Sequence, residues 1–236
     1  PWRISSMAEF ISYFGGPPPA AFAIARKNSA ATAPADLVAS STASDDEKTI
    51  IDEINSARAA VTAIAGLDKN PDIFSGADED FSLGKDDKYF LSLEGTYYLL
   101  YRSMMLFFQN GGGPCYIVSV GSYSDDIEGA KLMAGIDQLI KEQEPTMLVI
   151  PEAVLLGEDD CIAVQQAALA HCGGKMRNRV AILDVWQGFK PRQHPDGDCI
   201  ANFRTKLGMR YLDFAAAYYP WLNTSIVQAR DLSYQN

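Results

Sequence analysis

Histidine and cysteine are scarce in this chain, and much of side-chain chemistry needs one or the other. There are two histidines, His171 and His194, and four cysteines, Cys115, Cys161, Cys172 and Cys199, among 236 residues. The cysteines are too few and too scattered to staple a chain of this size, and they fit reduced thiols in a cytosolic protein. Neither Cys-x-x-Cys nor His-x3-His occurs, the spacings that place two ligands on one metal, so no metal ligand is assigned. His171-Cys172 stands at a predicted helix end, where the helix dipole alone favours an imidazole.

Basic charge is also short. Twenty Lys and Arg against thirty Asp and Glu leave a net charge of −10. That balance excludes a nucleic-acid binder, whose affinity comes from clustered cations releasing counterions from phosphates. The longest apolar run, Tyr97–Phe108, is interrupted by Arg102 and is too short to span a bilayer, so no membrane insertion is expected. No signal peptide opens the chain; Pro1 is not an initiator, and the start is read as a cut.

Signatures of catalysis are missing in turn. The glycines at 111–113 lie between a helix and a strand, whereas a phosphate loop runs strand, glycines, helix, so no cofactor is expected there. No Gly-Lys-Ser/Thr follows them. Ser6-Met7-Ala8 faintly echoes the subtilisin nucleophile segment, but Ile4-Ser5 stands where Gly-Thr should precede it. With Asp184 orienting His171 or His194, the order would be Ser, His, Asp, unlike subtilisin, and there is no Gly-x-Ser-x-Gly elbow. The pairs Asp125-Asp126 and Asp159-Asp160 open helices, where acids complement the dipole. No catalytic residue is assigned, and the chain is expected not to be an enzyme.

What is present is a core. Hydrophobic residues make up 47% of the chain, ample for a packed interior. A short strand at 2–6 precedes a helix over 8–14, closed by Gly15-Gly16 and three prolines; 20–25 reads as a strand. Residues 29–88 read as an excursion: a polar linker, one amphipathic helix at about 46–65 capped by Asp45 or Asp46, then an acidic, turn-rich stretch. Regular alternation follows. Helices are predicted at 95–109 (apolar almost all round, hence deeply buried), 126–142, 159–172 and 199–207. Strands are predicted at 115–120, 146–150, 180–186, 211–218 and 225–227. This pattern predicts an α/β fold with a largely parallel or mixed sheet, flanked by helices on both faces. The core is drawn as 1–28 with 89–236, and 29–88 as an inserted, protruding segment.

Charge is unevenly spread. Residues 45–80 and 95–170 each hold ten acids and three bases, while 171–236 hold nine bases and five acids. Either this is solvated surface, or opposite faces meet across a repeated subunit contact.

Three phrases carry a family resemblance. Met7-Ala8-Glu9-Phe10-Ile11-Ser12-Tyr13-Phe14-Gly15-Gly16 resembles an acidic-aromatic helix that ends at Phe-Gly in contractile tail-sheath proteins. Phe107-Phe108-Gln109-Asn110-Gly111-Gly112-Gly113-Pro114-Cys115-Tyr116-Ile117-Val118 resembles their aromatic helix end, Asn-Gly-Gly, then strand. Tyr211–Leu222, which closes on Tyr219-Pro220-Trp221-Leu222, resembles their Ala-rich aromatic strand and is the most specific of the three. The phrases fall in the family's order. The resemblance implies the subtilisin-like sheath domain of phage tails and related injection systems, named for its fold and not for proteolysis. It implies a structural subunit, made in the cytoplasm, that polymerises helically around an inner tube, is held by a baseplate, and contracts to drive the tube through an envelope. Its partners would be neighbouring sheath subunits, tube and baseplate. The family's terminal arms and C-terminal domain find no counterpart in the chain, so this portion is expected to be monomeric. The other class is a cytosolic α/β enzyme, or a domain binding a nucleotide or small molecule. That class needs a polar, ligand-sized pocket at the C-terminal ends of the parallel strands.

Overall fold

The structure, a computed structural model, describes residues 1–19, 21–26, 81–82, 88–94 and 98–227. The chain divides into two units, Pro1–Ala20 with Gly95–Asn236, and Ala21–Glu94.

Strand β1 (Trp2–Ile4) leads into helix α1 (Met7–Phe14). Ser6 begins this helix by accepting a hydrogen bond from the Glu9 amide at 3.2 Å, and the Glu9 carboxylate reaches back to the Ser5 amide at 2.6 Å. These two reciprocal bonds satisfy amides that the first turn leaves without partners.

The second unit holds β2 (Ala21–Arg26), β3 (Phe81–Ser82) and β4 (Lys88–Glu94), an antiparallel sheet in the order β2-β4-β3. Ala21 pairs with Glu94 and Arg26 with Tyr89. The strand predicted at 20–25 ladders with β4, for which no strand is predicted. A strand can be read locally, but its pairing partner lies more than sixty residues away and carries no local mark. The helix expected at about 46–65 lies outside the described residues.

The first unit resumes with α2 (Leu100–Gln109), β5 (Cys115–Ile117), α3 (Gly129–Gln138) and β6 (Met147–Val149). It continues through α4 (Glu158–Leu169), β7 (Val180–Asp184), α5 (Cys199–Leu207) and β8 (Ala215–Tyr218). The fold is mixed α/β. Strands β6, β7 and β8 form a parallel sheet in that order, with Leu148 beside Ala181 and Leu183 beside Ala217. Strand β5 does not join them. It pairs antiparallel with β1, Trp2 against Ile117 and Ile4 against Cys115.

Two cores result. In the larger, α3, α4 and α5 pack side by side on one face of the parallel sheet, enclosing Val164, Leu169, Ala181, Leu183 and Phe203. In the smaller, Ile4, Phe10, Tyr101, Met104 and Ile117 pack between the β1–β5 ribbon and helices α1 and α2.

Three expectations change. Helices were predicted on both faces of the sheet; among the described residues the helices lie on one, and on the other Met147 is 61% and Val149 53% exposed. Helix α2 was predicted to be deeply buried, but only Tyr101 and Met104 are, while Leu106 and Phe107 face outward. Apolar composition all round does not bury a helix when only one neighbouring layer is present to cover it. The strand predicted at 225–227 is not formed, and the one predicted at 211–218 begins only at Ala215, after a 3-10 turn at Leu212–Phe214.

Candidate functional site

Three of the residues that could have served a hydrolytic triad, Ser6, His194 and His171, are engaged elsewhere. Ser6 caps α1. His194 lies in the loop before α5, where its Nδ1 meets the Asp196 amide at 3.2 Å and the Asp196 carboxylate at 3.3 Å. His171 is 1% exposed, and its Nε2 stands 3.4 Å from Nη1 of Arg179. Asp184 ends β7, and burial pushes its carboxyl up. Among the described residues no hydrogen bond or ion pair joins Asp184 to either histidine, and no three His, Cys, Asp or Glu side chains are placed to share a metal. Desolvation raises the Cys161 thiol to about 12 and that of Cys172 to about 11, so both stay protonated near neutrality.

The place where an α/β sheet presents ligands is the crevice beyond the C-terminal ends of its strands. Here that crevice is lined by Glu158, Trp186, Lys190, Asp196, Cys199 and Phe203, and its enclosed volume is only about 20 Å³, room for a water rather than a ligand. Its charges are already matched. Lys190, largely buried, meets Asp196 at 2.9 Å, and Lys206 meets Glu158 and Asp159, both at 2.7 Å. The loop that closes the crevice is held from behind: the Lys190 carbonyl accepts from the Tyr219 hydroxyl at 3.0 Å, and the Val185 carbonyl from the Trp221 indole at 2.9 Å. The Tyr-Pro-Trp phrase therefore packs as structure, bracing the loop after β7.

Sequence reasoning missed two polar groups, one buried and one half-buried. Arg179, 2% exposed, donates through Nη1 to the Leu139 carbonyl at 3.2 Å and through Nη2 to the Glu142 carbonyl. Glu152 accepts from the Leu100 amide at 2.6 Å and so caps α2 from across the fold; burial pushes its carboxyl up, against the pull of that amide. An arginine inside a Met-Arg-Asn-Arg stretch gives no sign of which guanidinium turns inward. A cap supplied from fifty-two residues away escapes any rule based on spacing.

The helix predicted at 159–172 does not end at Cys172. The chain instead runs on through a π-helical turn, Ala170–Met176, and a methyl on Gly173 would sit 2.6 Å from Cβ of Tyr211. Glycine is there because the turn carrying Tyr211 and Phe214 lies directly against it. Similarly, a methyl on Gly112 would overlap the Phe107 ring, so the tight reversal after α2 needs a residue without one.

No family model matches the chain, and no curated protein matches its sequence. Among the described residues no helix is long and apolar enough to cross a membrane.

Proposed function

We propose that the chain is a structural subunit of a contractile tail sheath, polymerising around an inner tube and shortening to drive it. The observation that carries this reading is the sequence of three phrases at 7–16, 107–118 and 211–222 in the family's order. Each phrase coincides with a structural joint: α1 with its glycine stop, the α2–glycine–β5 reversal, and β8 with the segment that braces the loop after β7.

The architecture supports such use. Among the described residues strand β6 is an edge, paired only with β7, and it turns Met147 and Val149 outward. Open edges and apolar faces are liabilities in a monomer and connectors in a polymer. The basic segment 171–236 would meet acidic surface on a neighbour through Arg177, Arg204 and Arg210, which are exposed. Lys175 and Lys206 are spent on Asp137 and Glu158 within the subunit. An exposed pair contributes about 0–1 kcal/mol, enough to set register along a polymer but not to build one.

The test is antibody labelling. An antibody raised against residues 98–227 should decorate cylindrical particles from the source cells, in a long and a short state. Labelling confined to a soluble, unassembled pool overturns the reading. In that case the second class, a small-molecule binding α/β domain, would rest on the crevice at Lys190.

A further inference from the structure

His171 is one of the largest fully buried side chains, and its surroundings fix its proton. Its Nε2 faces a guanidinium, which has only N–H groups to offer, so that nitrogen must present its lone pair. The ring proton then sits on Nδ1, which is buried and has no partner among the described residues. A second proton could go only to Nε2, against the N–H of Arg179. We propose that His171 is an acid-sensitive latch: its protonation sets two cations face to face, expels the Arg179 guanidinium from the carbonyls of Leu139 and Glu142, and frees the end of α3 from the start of β7.

The groups on every element packed around the ring bear this out. The π-helical turn contributes Cys172 and Lys175, with Arg177 just beyond it, and the lead-in to β7 contributes Arg179. The turn after α3 offers Lys141 and Glu142, and the 3-10 turn before β8 offers Asp213 with Tyr211 beside it. Helix α4 keeps its acids, Glu158, Asp159 and Asp160, in its first turn, and Asp184 lies at the far end of β7. Asp137 of α3 is the acid that acts on the ring, and it is bound to Lys175 at 2.8 Å. Burial is the largest influence on the imidazole, followed by Arg179 and Lys175; together they hold it below its ordinary value. Folding thus favours the neutral ring. Its contribution is complete above the ordinary imidazole value of about 6.5 and is lost as pH falls through that value toward the lower one in the fold. The Arg179 anchors, Leu139 and Glu142, sit five and two residues before Glu144, which holds Arg3 at 3.5 Å and Tyr116 at 3.0 Å, so the released segment is the one that tethers the β1–β5 ribbon.

The experiment follows the whole 236-residue chain by two readouts between pH 7.5 and 5. The chain has two histidines, so NMR shows two Hε1 signals, assigned with H194Q. Hydrogen exchange, corrected for its intrinsic pH dependence, is read on peptides covering 139–146 and 171–183. His171 should titrate below pH 6.5, and opening of both peptides should rise with it, by up to about tenfold per pH unit for one coupled proton. In H171Q, whose amide oxygen can still accept from Arg179, that rise should vanish. Titration of His171 at its ordinary value with both peptides still protected overturns the latch, and so does an unchanged pH dependence in H171Q. If H171Q folds poorly, the wild-type pair of readouts decides alone.

Discussion

The two cores of the first unit are built differently. Around the parallel sheet, Cys161, Val164, Cys172 and Ala181 are entirely sealed, and the structure can hold Arg179, His171 and Gln165 inside. Around the β1–β5 ribbon only five residues are buried, and Trp2, Ile11, Tyr13, Leu106 and Phe107 stand exposed at its margin. The difference is one of layers. Three helices against three strands enclose a volume large enough to desolvate polar groups and fix them. Two helices against a three-residue ribbon enclose only a seam, which leans on its neighbour. The links are few: the Glu152 cap on α2, the Glu144 contacts to Arg3 and Tyr116, and the Tyr123 hydroxyl on the Gly16 carbonyl at 3.1 Å.

Thiol labelling should separate the cores most sharply. Cys115 lies in the ribbon, half-buried, while Cys161 and Cys172 lie in the sealed core. Under native conditions Cys115 should react at least about 100-fold faster than either, because sub-global opening needs less free energy than exposing the core. Equal rates at all three, read by mass spectrometry, would mean that the two cores open as one.

Truncation inside each core comes next. Leu169→Ala should cost about 2–5 kcal/mol and lower the protection of the whole unit. Phe10→Ala, at a site as deeply buried, should cost a comparable amount by the same cavity argument but strip hydrogen-exchange protection from 2–14 and 115–117 only. Loss of β7 protection in Phe10→Ala would dissolve the distinction.

Removing the link is milder. Glu152→Ala leaves the Leu100 amide without its partner and should cost about 1–3 kcal/mol, seen as fraying of α2 while α4 stays protected. The pH dependence gives the finer test. Since burial raises the Glu152 carboxyl in the folded chain, the unfolded chain ionises first as pH rises. Its contribution is therefore full below the ordinary glutamate value of about 4.3 and declines above it. Glu152→Gln, which keeps an acceptor, should flatten that decline; a urea midpoint series from pH 3.5 to 7 that runs parallel to wild type would refute this.

How legible each core was in the sequence follows the same division. Helix α5 was read at its full extent, because Asp198 caps it at 2.9 Å from the Ile200 amide and Gly208 ends it. Strands β6 and β7 were read slightly long but in place, since short apolar runs bounded by Pro151 and Arg179 carry their own limits. The ribbon was not legible. Nothing local in Cys115–Ile117 says that its partner is Trp2–Ile4 rather than the parallel sheet. The buried Arg179–His171 contact was hidden for a related reason: the π-helical turn that brings them together is set by the close approach of Tyr211 to Gly173, a tertiary event.

The ladder between β2 and β4 has a mechanical meaning. Its register partners Ala21 and Glu94 are the points at which the backbone leaves and re-enters the first unit. Tension that pulls those two points apart loads the ladder from one end, so its hydrogen bonds give way singly, like a zip, rather than together. The β1–β5 pairing, Trp2 against Ile117, helps hold the two halves of the first unit together across the same break. The short ribbon thus acts as a shackle, backed by Phe10 against Tyr101 and the Tyr123 hydroxyl on the Gly16 carbonyl: a pull on the N-terminus meets these contacts before any of it reaches the ladder.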